Sequence, residues 1–187
     1  VCLTLTGEQA TYLYRARRFD EAARAWSAQL RVRDDAGPHE GLFHLHRAGG
    51  RPQAAAAEAL RVMALAGVPR ASIDALAGRA APEVVRAFLH GTLAHLCRPG
   101  SWTGPERLAL VQAALGEADG ALDLLDRACR EHSPGLPATL RDPAFDALRG
   151  TPRFRGVLDC AGLGATAPPT TLAAARTLPL AVAPLPR

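Results

Sequence analysis

Apolar residues along this chain recur three or four apart, the spacing that lines one face of an α-helix. The pattern is clearest from Leu108 to Cys129, where Leu108, Val111 and Leu115 form one stripe and Leu122, Leu125 and Cys129 form another. Between them Gly116-Glu117-Ala118-Asp119 reads as a helix stop followed by an acidic helix start, so the stretch predicts two helices joined by a tight turn. Small Ala113, Ala114 and Ala121 let such helices approach closely. A pair this thin cannot bury its stripe alone and needs neighbours of its own kind.

The same signals predict helical pairs at about 8–33, 39–66, 70–97 and 105–131. Asp20 is the expected N-cap in the first pair, with Glu21 favourably placed against the helix dipole. Gly49-Gly50 closes a helix and Pro52 opens the next. The third pair is the weakest, its first helix short.

The pairs are related in register. Arg15-Ala16, Arg47-Ala48 and Arg79-Ala80 repeat one dipeptide every 32 residues, and a small residue near the start of the second helix recurs at Ala22, Ala54 and Ala121. The last gap of 67 residues spans about two helix–turn–helix units, so four repeats are expected, the third degenerate. A separate echo follows. Asp142-Pro143-Ala144-Phe145 with Leu148 matches Thr151-Pro152-Arg153-Phe154 with Val157 nine residues on. Each copy offers a capping residue, a proline, a phenylalanine and an aliphatic, which predicts capping helices at about 143–149 and 152–161 over the open end of a stack. The domain then covers 1–163. The tail 164–187 carries five prolines and only two charges, Arg176 and Arg187, and reads as disordered.

Composition narrows the class to all-α. Only 9 residues are aromatic, so Leu, Ala and Val must build the core, and β-branched residues are too few for a sheet protein. The net charge of +4 invites a nucleic-acid reading, but all 22 basic residues are arginine and they interleave with 18 acids. Lysine and asparagine are absent and isoleucine occurs once, a pattern of GC-rich coding, so no nucleic-acid partner is expected. Cys2, Cys97, Cys129 and Cys160 are widely spaced, which suits reduced thiols and a cytoplasmic setting. No run reaches membrane-spanning length and the opening lacks a signal peptide's basic start. An opening without Met that enters a helix almost at once points to a fragment with domains upstream.

The segments FDEAARAW and GEADGALDLLDRA resemble the tetratricopeptide (TPR) repeat. Residues 105–158 resemble the closing segment of TPR arrays in bacterial regulatory proteins, where such arrays are appended to winged-helix transcription factors or serine/threonine kinases. The resemblance implies a right-handed α-solenoid of about four hairpins, with two short C-terminal helices as a cap. Arg17 departs from the family's small residue before the first turn, and the third repeat keeps little of the pattern.

No catalytic constellation stands out. His44 and His46 are two apart and point away from each other on a helix, while His90 and His95 miss the i, i+4 ligand spacing that Cys97 would have to repair. No phosphate loop or nucleophile elbow is present. The chain therefore reads as a non-enzyme without metal or cofactor. What rises above background is the arginine ladder. In TPR stacks the first helix of each pair lines the concave face, which would gather Tyr14, Arg15, Phe43, His46, Arg47 and Arg79 into a basic groove with an aromatic edge. Such a groove suits a protein or peptide partner carrying acidic groups. Each arginine also sits in a last helical turn, where the dipole favours a cation without any ligand. The expected function is a peptide-binding scaffold within a larger bacterial regulator. The alternative is a ligand-sensing domain that controls an attached DNA-binding or kinase domain.

Overall fold

The computed structural model describes residues 3–164, with side chains from Gly7 onward. It is all-α, with no strand among the described residues. Helices α1 (Leu3–Arg15) and α2 (Phe19–Leu30) form one hairpin, and α3 (Ala36–Ala48) and α4 (Pro52–Leu65) a second. The short α5 (Arg70–Ala77) and long α6 (Ala81–Leu96) follow, then the hairpin of α7 (Pro105–Leu115) and α8 (Ala118–Arg130). A one-turn α9 (Leu136–Thr139), a 3-10 helix (Pro143–Phe145) and α10 (Pro152–Cys160) complete the described chain.

The three hairpins share a period of 33 residues. Their second helices begin at Phe19, Pro52 and Ala118. At equivalent depth lie Ala22, Ala55 and Ala121, each fully buried. The expected small residue Ala54 is therefore off by one: it is half-buried and its neighbour Ala55 carries the close approach. The residue that lets each first helix turn back has positive φ: Gly50 at 66°, Gly116 at 86° and, in the first hairpin, Arg17 at 65°. Glycine takes that conformation freely, whereas an arginine there costs about 1–2 kcal/mol.

Three clusters of buried side chains run along the chain. The first packs Tyr14 and Trp26 with Leu42 and Leu45 of α3. A side chain at Gly41 would run into the Trp26 indole, so this glycine seats α3 against α2. The second cluster turns the other face of α3, at Phe43, onto Phe88, Leu89 and Val111. The third gathers Ala109 of α7 with Leu122, Leu125, Phe145, Phe154 and Val157. α3 and α7 thus each serve two clusters, and that shared use carries the packing from one hairpin to the next.

Several expectations are corrected. Asp20 is not an N-cap: α2 starts a residue earlier and Asp20 lies in its first turn. The expected third pair divides, with α5 against α4 while α6 packs on both α4 and α7. The first expected capping helix is only the 3-10 turn, preceded by the unexpected α9. Its capping chemistry does hold: Asp142 accepts from the Ala144 N–H and Thr151 from the Phe154 N–H. Phe145 and Phe154 meet with ring centroids 5.8 Å apart. Cys129 and Cys160 are not reduced thiols but a disulfide that ties α8 to α10, while Cys97 is free and exposed. The tail expected to be disordered lies, from residue 165, outside the described residues. Among the described residues no helix is long and apolar enough to cross a membrane.

Leu125 is fully buried in the largest cluster. Leu125→Asp places an unpaired carboxylate there and is expected to cost about 3 kcal/mol or more. Thermal melting followed by circular dichroism checks this; an unchanged melting temperature would remove Leu125 from the core.

Candidate functional site

The first helices of the three hairpins border a cavity of about 530 Å³, which α9 and the segment leading to Asp142 border on another side. The 33-residue period explains which side chains arrive there. Thr11, His44 and Leu110 occupy one repeat position, and Glu40 and Glu106 another.

Side-chain contacts here join parts of the chain far apart in sequence. Arg17 donates to the Arg141 carbonyl at 2.8 Å and to the carboxylate of Asp146. Asp146 also accepts from Arg149 Nε at 2.8 Å. Arg149 in turn donates to the Leu140 carbonyl at 2.9 Å and lies 5.6 Å from the centre of the Phe154 ring. Arg17 thereby fastens the first hairpin to the C-terminal segment, which accounts for an arginine in a backbone conformation that the other two hairpins give to glycine. Beside this clasp, Arg15 Nε stands 3.9 Å from Asp142, an ion-pair distance but too long for a hydrogen bond.

Two side chains that line the cavity each hold a buried polar atom that is not satisfied. The Tyr14 side chain is 3% exposed and its hydroxyl has no hydrogen-bond partner; Arg15 Nε is likewise buried without one. Burial, and then the negative charge of Asp142, push the Tyr14 phenol well above its ordinary value. Burial also raises the Asp142 carboxyl. Glu106 is better served. It accepts from the Ser133 hydroxyl at 2.6 Å and is flanked by Gly104 and Gly135, where a Cβ would lie 2.5 Å from its oxygen. His44 keeps a fifth of its side chain accessible from inside the cavity, yet protein surrounds it, and burial with the charges of Arg47 and Arg15 lowers its pKa to about 3. His46 is brought down to about 4 by burial and then by Arg51.

Of the six residues expected to line a groove, the structure brings Tyr14 and Arg15 into the cavity. Arg47 is near enough to act on Tyr14, Asp142 and His44 by charge, though it opens onto a different cavity. The other three lie elsewhere. Phe43 is fully buried, 4.6 Å from Phe88 between ring centroids. His46 is buried, and Arg79 is exposed in the turn after α5. The 32-residue ladder is one short of the structural period, so successive arginines do not fall at equivalent positions. Sequence reading missed His44, Glu106 and Asp142. A 33-residue register would have paired His44 with Thr11, but nothing local announces that Asp142 meets α1. The lining is accordingly mixed in charge rather than basic. Among the described residues no group of three or more His, Cys, Asp or Glu is placed to hold a metal ion, and His90, His95 and Cys97 are exposed on α6 and at its end.

Comparison with protein-family models, with curated proteins and with solved structures finds no match to this chain. What the fold defines is an all-α chain that folds three related hairpins around a partly polar cavity.

The histidines set a pH dependence. A neutral buried imidazole stays unprotonated in the folded state while its unfolded counterpart gains a proton below about pH 6.5, so stability falls as pH drops from there toward 4. The melting temperature should decline across that window by roughly 2–4 °C per kcal/mol lost. The variant H44Q/H46Q should flatten the decline; an equally steep profile would assign the loss to other groups.

Proposed function

We propose that the chain is a non-catalytic binding module whose cavity receives a polar group of a partner, most simply an acidic side chain of a peptide or protein. The observation that carries this reading is that Tyr14 and Arg15 line one cavity and that each holds a buried polar atom without a partner, the Tyr14 hydroxyl and Arg15 Nε, which a small shift of either side chain would present to a ligand. An unsatisfied buried hydroxyl costs about 1–3 kcal/mol in the free protein, a cost that an incoming carboxylate recovers. Arg15 sits 3.9 Å from Asp142 and has donor capacity left to offer. Mixed charge around the cavity, with Glu40, Glu106 and Asp142 beside Arg15 and Arg107, favours one defined acidic group flanked by basic or neutral neighbours over a polyacidic segment.

In this reading the three hairpins are units of a TPR-like solenoid. The 33-residue spacing of their second helices and of Ala22, Ala55 and Ala121 supports it, as does the way α3 and α7 each pack on two sides. The clasp between Arg17 and Asp146 favours a second reading, that of a ligand-sensing domain. It lies beside a cavity of about 530 Å³, within the size range of small-molecule sites, and a ligand that pulls Arg15 from Asp142 would load the adjoining clasp.

Peptides selected from a random heptamer library against the intact chain should contain a recurrent Asp or Glu. Arg15→Gln should weaken them about tenfold, and Arg79→Gln should leave them unchanged. Tyr14→Phe should weaken them too, while leaving the free protein as stable as before or about 1 kcal/mol more so. Enrichment indifferent to both Arg15→Gln and Tyr14→Phe would overturn the assignment.

A further inference from the structure

A second cavity, of about 220 Å³, opens where the end of α3 and the start of α4 meet α6 and α7. Its floor is apolar, with Ala55, Val85, Leu89 and Leu115, and its rim carries three arginines, Arg47, Arg51 and Arg86. No acidic residue lines it. Some arginines pair with acids, among them Arg18 with Glu21, Arg70 with Asp74, Arg127 with Glu131 and Arg153 with both Asp123 and Asp126. Others, such as Arg31, Arg98 and Arg130, are exposed and enter no described ion pair, so what sets the three rim arginines apart is that they border one cavity without an acid. None of the described ion pairs involves Arg47, Arg51 or Arg86. Arg47 Nε is moreover buried and lacks a hydrogen-bond partner. Three like charges border one cavity with an apolar floor and no acid in its lining; Arg47 feels Asp142 from the neighbouring cavity, but Arg51 and Arg86 have no described acid partner, and an anion from outside would supply one.

From this geometry we infer that the cavity binds an organic oxyanion with a short apolar body, a carboxylate or phosphate monoester on an alkyl stem. The planar guanidinium forks pair bidentately with either head group. The stem covers the half-buried Val85 and Leu115, and each added methylene tightens binding about fourfold until the floor is filled. The site is separate from the mixed-charge cavity between the first helices: Arg51 and Arg86 do not line that cavity, and Tyr14 and Arg15 do not line this one.

Titration calorimetry of the full chain with hexyl phosphate, hexanoate, inorganic phosphate and hexanol tests this. Saturable binding of hexyl phosphate or hexanoate is expected, with their ratio reporting which head group the forks prefer. Inorganic phosphate should bind at least tenfold more weakly than hexyl phosphate, and hexanol should not saturate. R51Q/R86Q should lower affinity for the bound probe tenfold or more with helical circular dichroism unchanged, while Arg24→Gln, at an exposed position on α2, leaves it alone. Arg86 is exposed on α6, so R86Q alone gives the same comparison should the double variant fail to fold. Absence of saturation by both organic anions, inorganic phosphate binding as tightly as hexyl phosphate, or affinity indifferent to the loss of Arg86 would each overturn the site.

Discussion

The first hairpin is fastened to the C-terminal segment by one clasp, the guanidinium of Arg17 held between the Arg141 carbonyl and the carboxylate of Asp146. Local rules argue against this residue in this place. The backbone at Arg17 has φ of 65°, and the hairpins that need no such contact put glycine there, at Gly50 and Gly116. The strain is tolerated because the side chain reaches a partner more than a hundred residues away. Asp146 is itself held by Arg149, which lies against Phe154, so the clasp is anchored in the largest cluster of buried side chains. Without it the first hairpin would touch the rest of the molecule chiefly through α3.

Two cavities of opposite character follow from how α3 is used. One face of the helix turns His44 and Glu40 toward α1 and α7, where acids and bases alternate and a buried tyrosine hydroxyl waits for a partner. At its C-terminal end Arg47 looks toward α4 and α6, where only arginines and aliphatic side chains meet. Arg47 is the electrical link between them, since its charge depresses the His44 imidazole while its side chain borders the other cavity. An anion bound over Arg47 would therefore relax the field felt by His44, Tyr14 and Asp142.

Much of the fold was legible because it is local. Helix ends were marked by Gly116, Gly49-Gly50 and Pro52, and the caps at Asp142 and Thr151 were read from residue type and spacing alone. The candidate site was legible only in part. The repeated Arg-Ala dipeptide suggested a 32-residue register, whereas the helices keep 33, and one residue is about 100° of rotation on a helix. That single step moved Ala54 off the close approach and kept Arg47 out of Arg15's position. Phe43 entered the core because α3 is apolar on two sides, which a single-stripe reading does not anticipate. The Cys129–Cys160 pairing, the approach of Asp142 to α1 and the convergence of three arginines all depend on tertiary closure, for which sequence spacing carries no signal.

The clasp is the claim on which the joining of the first hairpin to the C-terminal segment depends, and a double-mutant cycle over Arg17→Gln and Asp146→Asn measures it most directly. Chemical denaturation of the two single variants, the double variant and the parent chain should give a coupling energy of about 1–2 kcal/mol between the two positions. A coupling indistinguishable from zero would mean that the first hairpin is held without the clasp, and its link to the C-terminal segment would lose its physical basis.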